Sequence, residues 1–385
     1  MKYINTTWLA TSISLILASS ASAAVPNTFS SGTPALASEV NENFSDLDTR
    51  VSDLENSATD AYTTVGVDCD DDSTALATAL EDSRNTSTRT TYNITGTCDA
   101  VEITRNDVRI DGGGTASIAA FDDPDWDGES VFIDGQSNVR LQNLTLEGTV
   151  IARNNSNVRF ENVVLPTGVP DGDEYVINVD IRTSYLRING GSINNLALRA
   201  SRNSTVDVKD SVTGSADQVM SDVNSSVVID NDTVNLGIVE AIGSSFIFAN
   251  AINASKVVSE GGSVVEADAM TVSGNIEAYG NSRLAVWGDA SVTGEVLVSK
   301  NSSFSVSDGG GLTASTLECQ FGSTFDIEGD VDLTGTFDWD NYISLNLHQS
   351  CHGQIGGTFN EYFGIDNHST LIDGNWTTID PPAIP

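Results

Sequence analysis

Positive charge is scarce in this chain: 17 Lys and Arg stand against 54 Asp and Glu, and none of the 17 lies beyond Lys300. A formal charge of −37 repels nucleic acid and anionic membrane surfaces at long range and draws divalent cations. The cation-free last third argues against a positively charged catalytic centre there. Histidine is also rare, and His348, His352 and His368 lack metal-ligand spacing. The four cysteines contain no C-x-x-C, which argues against zinc or redox use. Long apolar runs are missing except near the start. There, Trp8 to Ala18 is too short to span a bilayer.

What is present at the N-terminus reads as an export signal. Lys2 supplies the positive start and Ala21-Ser-Ala23 an A-x-A cleavage site, so residues 1–23 are expected to be removed. The mature chain is then secreted or periplasmic, with no membrane span left after cleavage. Export makes disulfides the default use of cysteine. Cys69 with Cys98 and Cys319 with Cys351 is the simplest of three connectivities.

Residues 24–60 form a leader. Ala37, Val40, Phe44, Leu47, Val51 and Leu54 repeat with 3,4 spacing among charged residues, as in a short coiled coil. Under three heptads is marginal for an isolated helix, so the run either self-associates or packs as an ordinary amphipathic helix. The stretch from Val25-Pro to Glu39-Val-Asn-Glu-Asn-Phe44 resembles a leader carried by many bacterial exported proteins, which implies presentation and not chemistry. Residues 61–114 read as a cap with first coils. Ser73 is placed to N-cap a helix with Leu76, Ala79 and Leu80 on one face, and strands follow at 92–94, 101–103 and 108–110.

From Ser137 an internal repeat dominates, within a domain drawn at 115–378 and followed by a tail at 379–385. A small turn precedes an apolar-x-apolar triplet at Val139-Arg-Leu141, Val158-Arg-Phe160, Leu186-Arg-Ile188, Val206-Asp-Val208 and Val227-Val-Ile229. It continues at Phe246-Ile-Phe248, Val264-Val-Glu266, Leu284-Ala-Val286, Phe304-Ser-Val306 and Phe325-Asp-Ile327. Two further apolar clusters fill each period of about 20 residues. Three short strands per period make one coil of a triangular solenoid, an all-β parallel β-helix. Over residues 65–378 the repeat resembles the pectin-lyase-like right-handed β-helix family, which implies that handedness and an exported, often glycan-directed, protein. The resemblance carries fold and almost no function.

Three features carry candidate chemistry. Asp123-Pro-Asp125-Trp-Asp127-Gly-Glu129 with Asp134 at the twelfth position matches a calcium loop, with Asp in place of the usual Glu at that end. It equally fits a solvated acidic loop. Arg109, Arg140, Arg159 and Arg187 occupy the outward place of successive triplets, followed by Asp207, Val228, Ile247, Val265 and Ala285. The arginines suit an acidic glycan or cell-surface partner through charge-assisted bonds, or else an ion-pair file with Glu161 and Asp207. The apolar continuation suits a homo-oligomer, trimer before dimer. Trp287, near Tyr279, is placed outward as a sugar platform or a turn packer.

Enzyme signatures mostly fail. The boxes expected of polygalacturonases within the resembled family are absent or misplaced: Asp122-Asp123 lies in the acidic loop and His352 sits between Cys351 and Gly353. The sequence thus favours a secreted, non-catalytic solenoid for adhesion or surface-glycan binding. The alternative is a polyuronate lyase using calcium, with Arg140 or Arg159 as base.

Overall fold

The structure, a computed structural model, describes residues 62–121, 128–165, 170–171, 174–175, 177–209, 211–232, 234–334, 345–347, 349–359, 363–365, 369–373 and 377–378. The export signal, the leader and its heptads, the 379–385 tail, and Asp123, Asp125 and Asp127 lie outside them.

Thirty-three strands join in one all-parallel array that winds through about 12 turns of a β-solenoid. Each coil runs through three sheets. In one coil these strands are Val139–Gln142 on the first sheet, Thr145–Leu146 on the second and Thr149–Arg153 on the third. Alternation does the sorting: in Val139–Gln142, Val139 and Leu141 are buried and Arg140 and Gln142 half-exposed. Every inward row stacks on the row of the next coil, so one apolar core runs from Val67 to Leu371.

A helix, α1 (Ala75–Asp82), covers the first coil with Leu76 and Leu80 buried. Its N-cap is Thr74 and not Ser73. Asp72 Oδ1 accepts from both the Thr74 backbone N–H and its hydroxyl, which closes the turn before the helix. The Cys69–Cys98 and Cys319–Cys351 disulfides both form, one near each end of the stack.

The corner between third and first sheets is the most regular. Two residues with positive φ, such as Asn154 and Asn155 or Arg202 and Asn203, precede a buried serine. Those serines form a ladder. The backbone N–H groups of Ser156, Ser184 and Ser204 each donate to the hydroxyl one coil on, at 3.0–3.2 Å, and Ser282 and Ser302 do the same. The hydroxyls of Ser156, Ser184, Ser204 and Ser282 donate in turn to carbonyls, as Ser204 does to Ile181 at 2.9 Å. Buried polar groups must find such partners, and here the next coil supplies them. Ser204→Ala is therefore expected to cost about 1–3 kcal/mol, because it strands the buried Ser184 N–H. A urea-unfolding midpoint shift is the measure.

The ladder also corrects the register read from sequence. Ser245 and Ser263 hold the ladder positions, with the Ser245 N–H donating to the Ser263 hydroxyl at 3.1 Å; Ser244 and Gly262 do not. The triplets therefore slide by one residue. Val227 pairs with Ile247 and then Val265, all fully buried, while the outward file runs Val228, Phe248, Glu266, Ala285. The expected outward strip of Val228, Ile247 and Val265 does not exist, and the oligomer argued from it loses its surface.

The corner between second and third sheets behaves differently. From Thr90 onward, the longest sequence intervals between successive strands of the array fall after the second-sheet strands that end at Ile118, Val164 and Leu333, and before the third-sheet strands that begin at Glu129, Val179 and Leu345.

Candidate functional site

The first sheet brings the four arginines together as expected. Arg109 pairs with Arg140, Arg140 with Arg159, Arg159 with Arg187, and Arg187 with Asp207. A second outward file two residues on runs Asp111, Gln142, Glu161, Asn189, and it holds the first. The two oxygens of Glu161 take Arg140 at 3.3 Å and Arg159 at 3.7 Å. Arg187 donates to Asn189 at 3.1 Å and reaches Asp207 at 4.0 Å, and Lys209 bridges Asp207 and Asp230. Asp111 is pushed up by burial, yet bonds from the Gly113 N–H, Gln142 and Asn143, with the Arg109 charge, bring it below the usual carboxylate range. The file is thus an ion-pair grid whose cations are already engaged within the fold.

The described end of the acidic motif is extended. Glu129 and Asp134 are the two ends of a single strand, Glu129–Asp134, and so stand about 16 Å apart at roughly 3.3 Å per residue. One ion cannot take both. Asp134 is instead bonded to Arg153 at 3.0 Å and Asn154 at 2.6 Å. The Asn154 bond is the main influence that lowers its pKa, with Arg153 assisting. Among the described residues, no group of three or more His, Cys, Asp or Glu converges as a metal centre would need. Of the arginines that a lyase would call on as base, Arg140 and Arg159 both bind Glu161.

His352 is exposed and pairs with Thr370 at 2.7 Å. Its neighbour Gly353 has a packing role: a Cβ there would stand 2.1 Å from the Phe325 ring of the previous coil. Trp287 is 41% exposed at the corner between first and second sheets, outward as expected. Tyr279 is pushed up to about 12 by burial, then by its 2.8 Å bond to Glu260 and by the charges of Glu260, Glu277 and Glu240. On the same sheet Glu295 is raised, first by burial and then by Glu318 and Glu277.

Sequence reasoning missed the second sheet. Its outward residues on five successive coils are Asn253 and Ser255, Thr271 and Ser273, Ser291 and Thr293, Thr313 and Ser315, Asp332 and Thr334. All but the half-buried Ser315 are exposed, while the residues between them, Ala254, Val272, Val292, Ala314 and Leu333, are buried. The result is a flat double file of eight hydroxyls, one amide and one acid, with no base. The signal was a second alternating triplet in each period, visible once coils are aligned.

Comparison with family models, curated proteins and solved structures finds no match to this chain. No helix among the described residues is long and apolar enough to cross a membrane.

Proposed function

We propose that the chain is an exported, non-catalytic solenoid that holds a neutral, extended surface glycan along its second sheet. The observation that carries this is the hydroxyl double file at 253–334. Successive coils repeat at about 4.8 Å, comparable with the length of one sugar unit, so each row meets its own ring. Ser and Thr lose little side-chain freedom on contact, compared with long polar chains. In a molecule of charge −37 this face also carries little repulsion of its own. Trp287 lies four residues before Ser291 and offers an apolar ring at its margin.

An acidic glycan on the arginine file is the weaker choice, because Glu161 and Asp207 already occupy those cations. Two disulfides agree with life outside the reducing cytoplasm. Kinship with pectin-lyase-like solenoids belongs to the same proposal and rests on the repeat alone.

The test is co-sedimentation with insoluble neutral polysaccharides beside a polyuronate panel. Thr293→Glu with Thr313→Glu is expected to weaken neutral-glycan retention at least tenfold, and Arg159→Ala to leave it unchanged. Retention that ignores the double variant removes the proposal. Calcium-dependent release of unsaturated product from polyuronate replaces it with the lyase.

A further inference from the structure

Glu129 is a buried carboxylate whose environment does not account for it. It is only 9% exposed, and among the described residues its Oε2 accepts no hydrogen bond. A carboxylate buried that far destabilises the fold unless a charge or donors compensate it. The obvious donor is already taken. Ser130 is the extra residue of a bulge, where the register shifts between Thr149 and Val150. Its hydroxyl donates to Ile118 O at 3.1 Å and accepts from the Gly148 N–H at 2.5 Å. The backbone behind the bulge is closely packed, since a Cβ on Gly148 would lie 2.1 Å from Gly128 O.

Glu129 lines a pocket of about 190 Å³ with Ala100, Val101, Glu102, Phe121, Ser130 and Phe132. Two kinds of cation would answer a lone carboxylate. Calcium wants six to eight oxygens. These walls are mostly carbon, with Glu102 the second carboxylate among the described lining residues. An organic ammonium wants one carboxylate for its N–H groups and aromatic or aliphatic walls for its carbon chain. The pocket matches the second description. Its volume fits as well, since an apolar cavity of about 150 Å³ accepts benzene.

We propose that this pocket binds a small primary alkylammonium, with the nitrogen on Glu129 and the carbon chain against Phe121 and Phe132. The site is independent of the hydroxyl face and of the arginine grid.

The test is calorimetric titration of the full exported chain at neutral pH with n-pentylammonium, with 1-pentanol as the uncharged analogue and with calcium chloride. One saturable site for pentylammonium is expected, with pentanol at least tenfold weaker. Glu129→Gln should reduce pentylammonium affinity at least tenfold, and Asp134→Asn should not change it. Phe121→Ala leaves the charge in place and should cost several-fold, which keeps the test decisive if the Gln variant folds poorly by circular dichroism. No pentylammonium binding at millimolar concentration overturns the proposal. So does equal binding of pentanol, or a calcium site that Glu129→Gln abolishes while the amine gives no heat.

Discussion

Ile247→Asp is expected to prevent the solenoid from folding, whereas Phe248→Asp, one residue on, is expected to be tolerated. Ile247 is fully buried between Val227 and Val265 of adjacent coils. Losing its side chain costs about 2–5 kcal/mol on its own. A carboxylate placed there has no donor and adds several kcal/mol more. The sum rivals the whole stability of many domains, about 5–15 kcal/mol. Phe248 lies half-exposed in the file of Val228 and Glu266, where a charge reaches water. A change of about 1 kcal/mol is expected. Soluble yield and urea unfolding of the two variants decide the matter. Equal behaviour, or the reverse order, would restore the register in which Ile247 faces out.

The disulfides should produce the next largest effect, and a localised one. Cys69–Cys98 spans 29 residues and Cys319–Cys351 spans 32. Each cross-link contributes about 3–4 kcal/mol in the chain-entropy account. In a solenoid that energy acts on particular coils, because each coil contacts only its neighbours. Cys69–Cys98 joins the first described coils, and Cys319–Cys351 lies one coil in from the last described strands, so each acts close to an end where few neighbours remain. Cys319→Ala with Cys351→Ala is therefore expected to speed amide exchange in the coils from about 317 to 373 and to spare those near 200. Cys69→Ala with Cys98→Ala should do the same at the other end. Uniform acceleration along the chain would show that the stack unfolds as one unit.

Much of this architecture was legible in the residues. Apolar alternation at a period near 20 is enough to specify three strands per coil, because only a closed coil buries all three inward rows. The cysteine pairs followed from export and from their closeness along the chain. Register was harder at Phe246-Ile-Phe248, where three apolar residues in succession satisfy either phase. The sequence Ser244-Ser245 offered two candidate turn serines, and what chooses between them is the bond from the Ser245 N–H to the Ser263 hydroxyl. Such a bond exists only between coils. The arginine file was visible as a column, but its meaning depended on Glu161 and Asn189, which stand two residues away and one coil over. Glu129 looked like one ligand among five. That it begins a strand, and that Ser130 is already committed, are facts of packing at a bulge.

The long sequence intervals between second-sheet and third-sheet strands have a consequence for how such a molecule changes over generations. The opposite corner is fixed by the serine ladder, where one inserted residue would break contacts on two coils. Among the described residues the other corner carries no such ladder, and lengthening a loop costs only about 0.6 kcal/mol per doubling. New sequence can be accepted at that edge coil by coil, without the stack registering the change. The molecule thus separates inheritance into two parts: a spine that must be copied faithfully, and a margin on which variation is cheap. Glu129 itself begins a third-sheet strand, on the copied side of that division.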